Sequence, residues 1–397
     1  MSVVEIGRSR PWRIGFWPAA FGIVLAAFLG VTVMRFTRGL GAVTNLSDRF
    51  PWGLWIGFDI LCGVGLAAGA FTLTAAVHLF HMKRFEPIVR PTLLTGFLGY
   101  LFVCIALMFD LGQPWRIWHA MVYWNERSVM FEVAWCVMLY TTVLALEFSS
   151  IVFERFGFER LRRVMKAVTT PLVIAGVLLS TLHQSSLGSL YLIVPEKLHP
   201  LWYSPLLPVL FYLSAIGAGL GMVIVESHLS GRAFGRELEM SLLEPLARVM
   251  VVVLAVFGVL RLDLLAHAGV LGTVFAPTYE ARAFLAEFGL GVVLPVLLLS
   301  WPRIRRSPTG LVTGGLLAVL GFVMHRLNVS VTGLERASGT RYQPSWMEWT
   351  VSIGLVAIAF AVFAAAARYL PIFPARERGD EEESAEARDA TPREAAS

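Results

Sequence analysis

The sequence predicts an all-α polytopic membrane protein of about ten transmembrane helices, two four-helix bundles flanked by an N-terminal and a C-terminal helix. Three observations predict it. Of 397 residues, 56% are hydrophobic and only 15% charged, with a mean hydropathy of +0.68, well outside the range of soluble domains. The apolar residues gather in ten runs, each close to the roughly 20 residues of helix that cross a ~30 Å bilayer core. Motifs from the first half also return in the same order in the second.

The spans read, in order, as about 16–35, 52–80, 89–110, 129–153, 166–186, 205–229, 246–268, 284–301, 309–331 and 348–370. The first follows Arg8, Arg10 and Arg13 and lacks a small-x-small cleavage pattern, so it reads as an uncleaved anchor. Spans 2 and 6 carry Gly65-x-x-x-Gly69 and Gly217-x-x-x-Gly221, small-residue patterns that let helix backbones approach. Span 4 holds Glu132 and Glu147, span 5 ends in His183-Gln184-Ser185-Ser186, and span 6 holds Glu226. Span 7 carries Arg261 and Asp263, span 8 Glu287 and span 9 His325. The expected units are an anchor and loop (1–51), a first bundle (52–204), a second bundle (205–347), a last helix (348–373) and a disordered tail (374–397), whose sequence lacks apolar periodicity.

With the N-terminus inside, 22 of the 33 Lys and Arg fall on the inner side and ten on the outer, so the positive-inside rule puts both termini in the cytoplasm. Lipid topology also accounts for the pI near 9.3 without nucleic acid as a partner. The outer loops are rich in Trp, Tyr, Pro and His, as in residues 113–128 and 194–205. They read either as a docking surface or as an interfacial aromatic belt. Cys62, Cys104 and Cys136 sit alone in apolar runs and offer no iron–sulfur, zinc or other metal site.

The duplication rests on three coincidences. The glycine clusters recur at an offset of 154, Glu132 and Glu287 at 155, and His183 and His325 at 142, after a loop that is shorter in the second half. Four spans per half is an even number, so the halves share one orientation, a parallel repeat.

Ionisable groups inside spans are costly and point to function or to buried pairing. Asp59 lies seven residues into span 2, on a face with Gly63, Leu66 and Ala67, and reads as a bundle-facing acid or as a structural hydrogen-bonding group. Glu132 and Glu147 lie near opposite membrane surfaces on roughly one side of span 4, a placement that suits a proton route or two headgroup contacts. Arg261 and Asp263 are two apart and cannot pair, leaving Asp59, Glu132 or Glu287 as partners for Arg261. The histidines near the span ends form no two-depth ladder of the kind a haem pair uses, and a hydrogen-bonding or proton-shuttling role is more economical.

Certain segments resemble one family. Phe50-Pro51-Trp52-Gly53-Leu54-Trp55-Ile56-Gly57-Phe58-Asp59, Ala145-Leu146-Glu147-Phe148, residues 183–190, Leu198-His199-Pro200-Leu201-Trp202 and Pro344-Ser345-Trp346-Met347-Glu348-Trp349 are similar to the integral membrane subunit of hydrogenase 2-type nickel–iron hydrogenases. That subunit sits in the wider NrfD-like superfamily with those of polysulfide reductase and periplasmic nitrite reductase. The resemblance implies a chain without haem or iron–sulfur cluster of its own, in the bacterial inner membrane. A ferredoxin-like iron–sulfur subunit and the hydrogenase small and large subunits would sit on the periplasmic side, with menaquinone or ubiquinone as substrate. It implies a quinone pocket at the outer end of the first bundle and, in some members, a proton path. Glu132, Glu147, Glu226, His183 and Tyr100 match its pattern.

The expected mechanism has His183, Glu132 and Asp59 donating protons to a quinone bound by His183, Gln184, Trp52 and Tyr100. Glu132, Glu147, Glu226 and Arg261 form the proton path in this reading. The competing readings are the anchor of a molybdenum oxidoreductase, a structural anchor alone, and a solute transporter. The transporter is disfavoured because Pro171, Pro208 and Pro295 sit nearer span ends than centres.

Overall fold

The computed structural model describes residues 15–235 and 238–373. Arg8, Arg10, Arg13 and Arg236, and the tail expected at 374–397, lie outside the described residues. Among the described residues, ten helices are long and apolar enough to cross a membrane: α1 (Phe16–Arg38), α2 (Trp55–His78), α3 (Lys83–Asp110), α4 (Val129–Phe156), α5 (Glu159–Leu192), α6 (Leu207–Phe234), α7 (Met240–His267), α8 (Tyr279–Ser300), α9 (Pro308–Ser338) and α10 (Trp346–Tyr369). Each matches an expected span. The largest departure is α5, whose 34 residues extend about 51 Å and carry the charged turn Glu159–Lys166 beyond the apolar run.

Helices α2 to α5 pack as a ring, α2 on α3, α3 on α4, α4 on α5 and α5 back on α2, and α6 to α9 close in the same way. The rings meet where α6 lies against α2 and α5, and where α9 reaches α2. Gly69 and Gly219 make the central crossing possible, since a methyl group on either would strike the other helix's backbone. Helix α2 is consequently the most enclosed, with 78% of its span buried, whereas α1 has 11% buried and presents most of its surface outward. Helices α1 and α10 pack on each other, and α10 lies against α3.

The connections that follow the odd-numbered helices lie at one end, which the distribution of Lys and Arg expects to be the outer end. There the residues leading into α2 are clamped. The Tyr342 ring stacks on Phe50 with centroids 4.9 Å apart, its hydroxyl accepts from Leu54 N at 2.9 Å, and it also donates to the Glu348 carboxylate. Ser345 and Glu348 form a capping box at the start of α10, and Trp55 Nε1 donates to the Glu348 carbonyl at 3.1 Å. Helix α2 then opens with a π-helical segment, Trp55–Ile60, that contains Asp59. Two further π segments, Gly289–Val293 and Asn328–Thr332, interrupt α8 and α9. Such segments re-aim side chains and recur at functional positions.

Candidate functional site

A cleft of about 310 Å³ runs between α2, α3, α6 and α10. Small residues make its room: Gly63 and Ala67 on α2, Gly99 and Ala106 on α3, and Ala359 on α10 line it. Phe102, Val356, Phe360 and Phe363 give it an apolar wall, and Phe360 and Val356 are exposed, so the cleft opens onto the apolar outer surface of the spans. A carboxyl group stands near each end. Asp59 at the outer end is buried and accepts from Ser352 Oγ at 2.6 Å. Glu226, toward the inner end, is buried and accepts from Thr95 Oγ1 at 2.8 Å. Glu226 also borders a second cavity of about 60 Å³ with Pro87, Ser227 and Glu239 near the inner ends of α3, α6 and α7. It therefore stands between that inner cavity and the cleft.

The interior of the first bundle holds a separate polar column. Its inner end is a cavity of about 170 Å³ lined by His78, Glu86, Arg90, Glu147 and Thr169 among others. Above it, Glu147 and Tyr140 both pack against Gly176. The Tyr140 ring meets Tyr100 edge-on at 4.6 Å, and the Tyr100 hydroxyl is hydrogen-bonded to His183 Nδ1 at 2.8 Å. One turn outward from His183, Ser186 donates to the Glu132 carboxylate. The Tyr140 hydroxyl and His183 Nε2 are buried without a partner among the described residues, so each keeps a free hydrogen-bonding position. Gln184 donates to Val64 O at 3.0 Å and so ties α5 to α2.

The second bundle holds the counterpart of that column. Glu287 forms a buried ion pair with Arg261 and contacts His325 Nδ1 at 2.8 Å, Asn328 Nδ2 at 2.7 Å and Trp202 Nε1 at 2.9 Å. The register of the two halves is the same in detail. Glu132 meets Ser186, three residues after His183, and Glu287 meets Asn328, three residues after His325. Tyr100 lies against His183 and Phe257 against His325, with ring centroids 5.5 and 5.7 Å apart. Phe257 has no hydroxyl for its histidine, and the guanidinium of Arg261, one turn further along α7, contacts it instead at 3.2 Å.

The predicted residues thus fall into three groups. Asp59 and Glu226 share the cleft; Tyr100, Glu132, Glu147 and His183 share the first-bundle column; and Arg261 is held by Glu287, one of the partners expected for it. His183 and Glu132 are absent from the cleft lining that contains Asp59. Trp52 packs edge-on against Tyr191 at 5.7 Å. Sequence reasoning missed Ser352, Thr95 and Tyr140. The serine and threonine are ordinary in apolar helices, and only the packing of α10 and α6 gives them a carboxylate to meet.

Outside the spans, His199 caps its own turn, with Nδ1 accepting from Leu201 N at 3.2 Å. Burial, partly offset by Glu280, holds the His199 ring below the usual imidazole range. Burial and the neighbouring Glu348 push the Tyr342 hydroxyl up.

Comparison with known proteins adds a lineage to this geometry. The model of the family described as "Polysulphide reductase, NrfD" matches residues 42–336. A Nitratidesulfovibrio vulgaris protein is 41% identical to this chain, the match covering 88% of this chain and 92% of its own length. The probable Ni/Fe-hydrogenase 2 b-type cytochrome subunit of Escherichia coli is 35% identical, over 91% of this chain and 93% of that one. The integral membrane subunit of a menaquinone reductase of N. vulgaris is 30% identical, over 85% and 86%.

Proposed function

The chain belongs to the NrfD polysulphide reductase family, and on that premise we propose that it is the quinone-reactive membrane subunit of a respiratory oxidoreductase. The observation that carries this reading is the apolar cleft that faces the lipid surface and holds a carboxyl group near either end. An isoprenoid quinone has a polar ring and a long apolar tail, and the cleft offers a place for each. The ring lies at Asp59, and the tail follows the wall made by α10 and α3.

Reduction of the ring takes two electrons and two protons, and oxidation of the quinol returns them. Electrons pass at the outer end, where an iron–sulfur partner docks on the aromatic loops of the periplasmic side. The catalytic partner is a nickel–iron hydrogenase; the same surfaces would serve a molybdenum enzyme, and the metal content of the purified complex decides between them. Asp59 is the proton donor or acceptor at the ring, oriented by Ser352. Glu226 exchanges protons between the inner cavity and the cleft. With both termini in the cytoplasm, that route draws on the side opposite to the electrons. The first-bundle column, from Glu147 through Tyr140, Tyr100 and His183 to Glu132, forms a second polar route across the membrane.

In this reading the subunit works without haem, although the E. coli relative is called a b-type cytochrome subunit; an absorption spectrum of the purified subunit without a Soret band supports it, and a stoichiometric Soret band overturns that part. The quinone assignment is tested with Asp59→Asn and Glu226→Gln in the purified complex. Electron delivery to quinone should fall by about 100-fold or more, the usual scale of a lost acid–base group, while electron delivery to a soluble dye at the partner subunits stays intact. Unchanged quinone rates in both variants would reject it.

A further inference from the structure

Between the two bundles lies a cation that neither the cleft nor the column uses. Arg326 of α9 is fully buried, and its guanidinium lies 3.6 Å from the ring centroid of Phe211 and 4.4 Å from that of Phe322. Its one hydrogen bond runs from Nη2 to Phe211 O at 2.9 Å, and Nε and Nη1 have no partner among the described residues. Its neighbour in charge, Arg261, has the Glu287 carboxylate as counter-ion, whereas Arg326 feels that carboxylate only at longer range and forms no ion pair of its own among the described residues. A buried, unpaired guanidinium is among the most costly groups a protein can carry through a membrane. Packing two bundles together does not require it, since an apolar side chain would fill the same space.

The position of Arg326 points to a use. Phe322 and Ser330, one turn before and one turn after it, press against Gly65 and Gly57 of α2. Arg326 therefore faces the middle of that stretch of α2, where Cys62 is an electrostatic neighbour of the guanidinium. Cys62 also lines the cleft, one turn inward from Asp59. A fixed positive charge thus stands behind the cleft wall, in apolar surroundings that screen it weakly.

Resting on the quinone assignment of the cleft, we propose that Arg326 is a positioning residue whose charge favours an anionic ring in the cleft. When an electron reaches the ring before a proton does, the ring oxygen gains a negative charge. The unpaired guanidinium offsets that charge until Asp59 supplies the proton. The same field selects among ring ligands by charge, preferring an anion to a neutral molecule of equal shape.

The test uses the intact complex in detergent and two probes: 2-hydroxy-1,4-naphthoquinone, an anion at neutral pH, and its neutral 2-methoxy analogue. The wild type should bind the anion about tenfold or more tightly than the neutral analogue, a modest effect for a charge in a poorly screened site. Arg326→Gln should bring the ratio close to one, and Arg326→Lys should restore most of it. The wild-type ratio is measured without any substitution, so the proposal stays testable if Arg326→Gln does not assemble. A wild type that binds both probes equally, or an Arg326→Gln complex that keeps the preference, overturns the role of Arg326 and leaves the cleft assignment standing. Binding of neither probe to the wild type overturns both.

Discussion

The two half-bundles set nearly the same residues to different work. In the first, among the described residues, Glu132 has one side-chain partner, Ser186, and His183 has one, the Tyr100 phenol. Hydroxyl groups both give and accept hydrogen bonds, so each contact can reverse as a proton passes. In the second, Glu287 is fixed by Arg261, His325, Asn328 and Trp202. A guanidinium cannot give up its proton, and an indole only donates. The acid and the histidine of the first half thus meet hydroxyl groups, whereas those of the second half are bonded to each other and to a guanidinium, and Phe257 at the place of Tyr100 with Arg261 one turn further on accounts for the difference. A duplicated scaffold can keep one half as structure while the other carries chemistry.

The largest effect should come from breaking the anchored half. Arg261→Gln leaves Glu287 buried without its counter-ion, a change that costs about 3–5 kcal/mol in comparable sites. The complex should lose thermal stability and yield in membranes, and the double variant Arg261→Leu/Glu287→Leu should recover much of both. Equal damage from His183→Ala would erase the contrast between the halves.

Next in size is the exchanging half. Glu147→Gln and Tyr100→Phe should leave assembly intact and lower any proton translocation linked to quinone turnover in proteoliposomes, by about tenfold or more if the column is the main route. Uncoupled quinone turnover should change far less. Proton-to-electron ratios equal to wild type in both variants would reduce the column to a hydrogen-bonded brace.

A smaller effect separates Asp59 from its support. Ser352→Ala removes one hydrogen bond to the carboxylate, worth about 1–2 kcal/mol, and should slow quinone reduction by roughly tenfold with little change in stability. Stopped-flow rates on the assembled complex measure it.

The smallest concerns the loop that brings Trp202 to Glu287. His199 binds protons less readily folded than unfolded, because burial disfavours its charged form. Its contribution is therefore complete above the unfolded imidazole range and declines as pH falls through that range toward the lower folded value. Protonation at Nδ1 would also displace the Leu201 N–H that it accepts. Hydrogen-exchange protection of the amides in residues 198–202, taken relative to the intrinsic exchange rate at each pH, should fall from pH 8 to pH 5, and His199→Gln should flatten that slope.

The sequence made the scaffold legible because the bilayer enforces it. Ten apolar runs of the right length became ten helices, and the offset joining Glu132 to Glu287 reappears as contacts with Ser186 and Asn328, each three residues after a histidine. Intramembrane charge also marked Arg261 and Glu287 as candidates for pairing, and they pair. The division of the site was not legible. It depends on α10 lying against α3, which gives Asp59 a partner in Ser352 and opens the cleft away from His183. Periodicity says that a helix crosses the membrane, and it is silent on which neighbour the helix meets. The π-helical start of α2 was hidden for a similar reason, since Trp55–Ile60 is held by Tyr342 and Glu348, nearly 300 positions away in the chain.

The central claim, that quinone occupies the cleft beside Asp59, is tested most directly by photolabelling. An azido-quinone with an isoprenoid tail, activated in the assembled complex and mapped by mass spectrometry, should modify peptides of α3 and α10 around Thr95–Ala106 and Leu355–Phe363. Excess unlabelled quinone should protect them. Protected labelling confined to α7, α8 and α9 would place the substrate in the other half and contradict the account.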